Sequence, residues 1–234
     1  MSLYFTIARM KKLLIVSGTV ISFASFAGIA NATLTTYIGS DNGASNLSQM
    51  TNSQAAEANF AAAAPSLNLI TFETAIPAGV TITGGGSVTN AAGAGTPANV
   101  FGFNTTPGGQ FFYYQQGGTA TFSFATPIDS FGMYITGLQT AAVPNEMITF
   151  SDGSTETIDA PGGLNGGGAF MGFTDPGASI ASVSFNANFD IVAFDDVQYG
   201  SAASVAATPE PSSLALLGTS LIGACGVLRR RFHS

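Results

Sequence analysis

The sequence predicts an all-β fold, a jelly-roll-like antiparallel β-sandwich with a short N-terminal helix and a C-terminal membrane helix. Three observations carry this reading. From Leu67 onward apolar residues recur every second position, Gly, Pro and Asn clusters cut the chain into short segments, and long apolar runs occur only near the two ends. An alternating strand buries one face and needs a second layer to cover it, which favours two packed sheets.

Composition narrows the function classes before any motif is considered. Of 234 residues, 46% are hydrophobic and only 8% charged, with 29 Gly, so short elements and many turns are expected. The six basic residues are Arg9, Lys11, Lys12, Arg229, Arg230 and Arg231, all in the terminal segments. Of the 13 acids only Glu210 lies outside residues 33–208, which leaves that middle with 12 acids, no Lys or Arg and a charge of −12. Such a domain cannot neutralise phosphates, which excludes nucleic acid and attraction to anionic lipid. The one Cys, Cys225, sits in the C-terminal apolar run, so neither a disulfide framework nor a Cys-based metal site is available to the middle.

Taken in order, residues 1–32 read as a signal peptide. Arg9, Lys11 and Lys12 precede an apolar stretch, and Ala30 and Ala32 supply the small residues at −3 and −1 of a cleavage site. Residues 33–65 are an Ala-rich lead-in with a helix from Thr51 or Ser53 through Ala63, stopped by Pro65; Phe60 is its one large apolar residue. Residues 66–200 hold the β-sandwich. Strands are expected at Leu69–Phe72, Val80–Thr83, Phe111–Tyr114, 119–124, 131–135, Met147–Phe150, Thr155–Ile158, Ala169–Phe173, 181–185 and Ile191–Tyr199, with an Asp152-Gly153 hairpin turn between the sixth and seventh.

Residues 201–208 form a Ser/Ala linker, and residues 209–234 a distinct tail: Pro209-Glu210-Pro211, an apolar run from Leu214 to Leu228, then Arg229-Arg230-Arg231. The prolines hold the tripeptide extended and exposed. Basic residues at both extremities favour the cytoplasmic side, so the acidic middle is placed outside the membrane. This tail resembles the PEP-CTERM sorting signal. The resemblance implies export, transient inner-membrane insertion through the C-terminal helix, recognition by an exosortase-type membrane protease, cleavage near the tripeptide, and arrival at the surface of a cell that makes exopolysaccharide. The middle is similar, more loosely, to β-sandwich domains that precede such tails, in Leu69-Ile70-Thr71-Phe72-Glu73, Phe131-Gly132-Met133-Tyr134 and Phe194-Asp195-Asp196-Val197-Gln198-Tyr199-Gly200.

Catalysis is poorly supplied, because residues 33–208 contain no His, Cys or Lys to activate a nucleophile. The expected role is therefore structural or adhesive rather than enzymatic. The alternatives are a lectin-like carbohydrate-binding module, an ice-binding protein using Thr81-Ile82-Thr83 and Thr119-Ala120-Thr121, and a carboxylate-pair glycosidase. No cofactor is required by the sequence. Ca²⁺ is the candidate ion, through Asp190, Asp195, Asp196 and Glu73, with Asp195 and Asp196 on opposite faces if the strand is regular. Tyr113, Tyr114 and Gln115 are the candidate ligand platform, and exopolysaccharide is the candidate partner.

Overall fold

The computed structural model describes residues 33–90, 94–106, 112–139 and 145–203. Along the chain these form β1 (Thr35–Asn42), α1 (Thr51–Ala63), β2 (Ser66–Ile70), β3 (Val80–Thr83), β4 (Ser87–Thr89) and α2 (Ala98–Phe101). There follow β5 (Phe112–Ile128), β6 (Ser130–Thr136), β7 (Asn145–Phe150), β8 (Thr155–Asp159), β9 (Gly167–Thr174) and β10 (Ile180–Ser201). The all-β, antiparallel character expected from the alternation is what the structure shows. The stretch read as a signal peptide, with Ala30 and Ala32, and the tail lie outside the described residues, and among the described residues no helix is long and apolar enough to cross a membrane.

Two separate sheets were expected, but the strands form one hydrogen-bonded ten-stranded sheet in the order β1-β9-β6-β10-β5-β3, with β2 and β7 on β10, β4 on β5 and β8 on β7. The reason is the length of two strands. β5 has 17 residues and β10 has 22, long enough for each to serve both halves of a sheet that curls back on itself. Ile180–Phe185 of β10 lies between β5 and β7, whereas its segment from Val197 to Gly200 lies between β6 and β2. The exchange of β7 for β6 falls around register shifts between Asn186 and Ile191, where Asn188 adopts a positive φ of 53°, while β5 stays paired through Phe194 and gives way to β2 at Val197. Asn is among the few residues that enter that region readily.

The main core fills the inside of the curl. Phe122, Phe131, Phe173, Phe185, Phe194, Met133, Ile135 and Val183 are all fully buried there. Rings meet edge to face or tilted: Phe185 on Phe194 at 5.2 Å and Phe122 on Phe131 at 5.5 Å. A second, smaller cluster forms on the outer side of β6 and β9, where Phe60 of α1 meets Tyr37, Tyr134 and Phe170. This is why every residue of β6 and β9 is buried although the strands alternate: one face looks into the curl and the other lies under α1.

Helix α1 spans the predicted residues and ends before Pro65. Its hold on the sheet depends on missing side chains, since a Cβ on Gly132 would stand 2.6 Å from the Phe170 ring and 3.2 Å from that of Phe60. Its first turn is capped from a distance: Asp41 of β1 accepts bonds from the backbone N–H groups of Asn52 (3.1 Å) and Ser53 (2.9 Å) and from the Ser53 hydroxyl (2.7 Å). Strand β1 lies inside the stretch read as a lead-in. It pairs with β9 over all eight residues and belongs to the domain.

Candidate functional site

Asp195 is fully buried beside Asp196, and the two carboxylates draw on the donors of one loop. A regular strand would send the two side chains to opposite faces, yet Asp196 takes a φ of 47° and the register to β6 shifts between Asp195 and Gln198. This bulge turns both carboxylates to the same loop. Asp195 Oδ2 accepts from the N–H groups of Thr105 (2.7 Å) and Thr106 (3.0 Å), and its Oδ1 from the N–H of Asp196 (2.9 Å). The hydroxyls of Thr105 and Thr106 each donate to Asp196 at 2.9 Å, and both also lie within reach of Asp195. Each hydroxyl carries one proton, so it cannot serve two ionised carboxylates at once. Burial first, and then the neighbouring Asp196 charge, pushes the Asp195 carboxyl up to about 7, against the three backbone donors. Burial also raises Asp196, and Glu57 and Glu73 add to the rise.

Glu57 of α1 closes this region from above, accepting from the hydroxyl of Tyr134 at 2.7 Å and from the amide of Gln198. Glu73 accepts from the amide of Asn104, next to Thr105. Of the four acids proposed for Ca²⁺, the structure thus gathers Asp195, Asp196 and Glu73 around the 104–106 loop. Asp190 is elsewhere, accepting from the N–H groups of Gln139 and Ile191, both at 2.8 Å. Among the described residues no three His, Cys, Asp or Glu side chains converge as a metal site. The carboxylates of β10 act as fasteners of a loop.

Tyr113 corrects the reading of an exposed aromatic platform. It is 5% exposed, with its ring between Phe72 and Phe194 at centroid distances of 6.0 and 6.1 Å. Tyr114 and Gln115 belong to the same strand, paired with Ala193 and Val192, and their side chains lie outside the described residues. A shallow cleft beside the acids was not legible in the sequence. It is lined by Asn46, Leu47, Ser48 and Gln54 from the entry to α1 and by Asn104 and Thr106 from the loop. Its lining side chains are amides and hydroxyls together with Leu47, and most of the surface they present is apolar.

A second polar surface comes from register. Thr81 of β3 stands opposite Ser123 of β5, Ser123 opposite Ser182 of β10, Ser182 opposite Thr149 of β7, and Thr149 opposite Thr155 of β8. Directly opposed residues share a face, so five hydroxyl side chains form one row across five strands. At about 4.8 Å per strand the row is about 19 Å long. All five are exposed or half-buried, while the intervening Phe122 and Val183 point into the core. In the next row Thr83, Thr121 and Ser184 stand in succession on β3, β5 and β10. Within it Thr121 and Ser184 hydroxyls bond to each other at 2.8 Å.

Comparison with known proteins bears on the tail rather than on these surfaces. Residues 207–231 match the PEP-CTERM protein-sorting motif, which covers Pro209, Glu210, Pro211, Arg229, Arg230 and Arg231. A motif of this kind implies export and processing of a membrane-anchored precursor by an exosortase-type membrane enzyme. The chain is a PEP-CTERM sorting domain-containing protein.

No curated protein matches the chain. Three solved structures show slight likeness. The catalytic domain of a GH87 alpha-1,3-glucanase in complex with tetrasaccharides is 10% identical, with a TM-score of 0.36 over 62% of this chain and 30% of that one. The enzymatically active domain of tailspike protein 4 of bacteriophage CBA120 is 16% identical, with a TM-score of 0.30 over 56% and 20%. TmCBM61 in complex with beta-1,4-galactotriose is 12% identical, with a TM-score of 0.27 over 52% and 87%. The chain spans less than a third of the glucanase and tailspike domains, and likeness this slight carries no argument about function.

Proposed function

We propose that the domain is a structural or adhesive component of an extracellular polysaccharide matrix, laid against neutral glycan chains and without catalytic activity. The observation that carries the reading is the row Thr81, Ser123, Ser182, Thr149 and Thr155, an uncharged line of hydroxyls on the solvent side of a domain that has no Lys or Arg. Hydroxyls in line can exchange water for the hydroxyls of a linear polymer, and a cation-free acidic shell repels polyanions. In the second row Ser184 is buried and its hydroxyl is tied to Thr121, which suits a single chain better than the two-dimensional surface of an ice crystal. The cleft bordered by Ser48 and Gln54 supports a second reading, a lectin-like module holding a short oligosaccharide.

Catalysis has little in its favour. Asp195 is fully buried and its oxygens are engaged by the 105–106 backbone, so it does not face a substrate. The test is retention of the full-length chain, in detergent, on insoluble neutral glucans, with a polyuronate as control. The triple substitution Thr81→Val, Thr149→Val and Thr155→Val keeps shape and removes three hydroxyls, each worth about 1 kcal/mol. Retention should fall at least about tenfold. If the triple variant binds normally and Gln54→Ala does not, the glycan sits in the cleft and the lectin-like reading stands instead; retention equal on polyuronate would end both.

A further inference from the structure

Away from the hydroxyl row, one side chain of β10 breaks the pattern of its strand. Val183, Phe185 and Ala187 enter the core at every second position, and Phe189 is next in that alternation. It is instead 75% exposed. Core packing resumes at Val192 and Phe194, on the opposite parity. Extra chain makes the switch: from Asn186 to Ile191 β10 takes five steps, where β5 takes three from Thr119 to Gln116.

The backbone is fastened on both sides of the ring. Before it, the N–H of Asn188 donates to the Asn186 side chain at 2.8 Å. After it, the carboxylate of buried Asp190 accepts from the N–H groups of Ile191 and Gln139, both at 2.8 Å. Across the pair, Gly117 and Gly118 take φ values of 68° and 72°, and a Cβ on Gly117 would stand 2.9 Å from the Asn188 carbonyl oxygen. Both strands are therefore shaped to the bulge, and the ring is held out by a built frame.

The surroundings select a partner. Gln116, Thr119, Asn186 and Asn188 are exposed and uncharged, and each can both donate and accept hydrogen bonds. The other exposed large apolar side chains among the described residues, Ile38, Val88 and Leu69, stand opposite Met171, Tyr113 and Gln198. A lone ring is too small for a protein interface, which buries about 800 Å² on each partner. The negative face of an aromatic ring does attract the polarised C–H groups on the flat side of a pyranose, and amides match its hydroxyls.

We infer that Phe189 is a second glycan contact, stacking on one neutral sugar ring whose hydroxyls are met by Gln116, Thr119, Asn186 and Asn188. The inference rests on the glycan reading of the domain and adds to it a residue and a ligand feature, an uncharged pyranose with an open C–H face. Seven residues separate Phe189 from Ser182 of the row, at most about 24 Å along β10, so the domain holds glycan at two points.

The experiment measures retention of the full-length chain, in detergent, on cellulose and on curdlan, two neutral β-glucans. Phe189→Ala should lower retention at least about fivefold and leave the melting temperature unchanged, because the side chain lies in solvent. Phe189→Leu, which keeps apolar area without the aromatic face, should lose as much, whereas Phe189→Trp should bind. That last substitution supplies the chain's only tryptophan, whose emission should shift when cellohexaose or laminarihexaose is added. Phe189→Ala retained like the wild type, while the triple hydroxyl variant is not, overturns the stacking contact and leaves the glycan reading standing. Full retention of Phe189→Leu, a lowered melting temperature in Phe189→Ala, or a wild-type self-association that Phe189→Ala abolishes would each overturn it as well, assigning the ring to unspecific, packing or dimer contacts. A wild type retained on neither glucan removes the glycan reading itself.

Discussion

The half of the sheet under α1 and the half built from β3, β5, β7 and β8 use the same antiparallel pairing to opposite ends. Under α1, both faces of β6 and β9 are buried, and the outer face is sealed by Phe60, Tyr134 and Phe170. In the other half only the inner face is buried, and hydroxyls stand on the outer one. The difference teaches where this protein can tolerate change. One side is a three-layer assembly in which volume is fixed; the other is a two-sided sheet whose outer residues answer to solvent or ligand.

The largest effect expected is at the helix contact. Phe60 is fully buried and touches Tyr37 at 5.7 Å and Phe170 at 5.6 Å between ring centroids. Phe60→Ala should cost about 3–5 kcal/mol, because Gly132 below it offers no side chain to collapse into the cavity. Chemical denaturation would measure the loss. A cost below about 1 kcal/mol would show that α1 is dispensable to the sheet and break the comparison.

The same contrast explains what was legible in the sequence. Strand β3 and helix α1 were readable because the Val-Thr-Ile-Thr alternation and the alanine run terminated by Pro65 are local signals. Strand β1 was not, since Thr35-Thr36-Tyr37-Ile38 is an edge segment that places mostly polar residues outward and shows no clean period. The Asp195-Asp196 site was half legible. The residue types mark it, but the bulge that turns both side chains to Thr105 and Thr106 depends on a loop about 90 positions away in sequence. Tyr113 misled for the converse reason: an aromatic cluster reads alike whether its alternate rings face solvent or the core. The hydroxyl row was legible only as separate triplets such as Thr81-Ile82-Thr83, because register alone aligns residues of five strands that are far apart in sequence.

An intermediate effect should appear in the dependence of stability on pH. Asp195, beside the α1 half, is raised to about 7 by burial and by Asp196, while Asp152 in the open β7–β8 turn is held below its ordinary value by bonds from the Ser154 hydroxyl and N–H. A raised carboxyl binds its proton more tightly in the folded state. Its contribution is full below the unfolded value near 3.8 and is lost as pH rises through about 7. About three pH units at 1.36 kcal/mol each bound this loss at about 4 kcal/mol. Melting temperature should therefore decline between pH 4 and pH 7, and Asp195→Asn should flatten most of that slope while Asp152→Asn leaves it unchanged. A slope that survives Asp195→Asn would assign it to another group, with Asp196 the nearest.

The smallest effect belongs to the open face, and its smallness is the point. Thr155 is exposed at the end of the hydroxyl row on β8, which among the described residues pairs only with β7. Thr155→Val keeps the β-branched shape that strands favour and removes a hydroxyl already in contact with water, so stability should change by less than about 0.5 kcal/mol. A larger loss, seen in the same denaturation measurement used for Phe60→Ala, would mean that the outer hydroxyls hold the sheet together. The two halves would then differ in degree of burial but not in what their outer residues are for, and the row would lose its claim to be a surface kept free for a ligand.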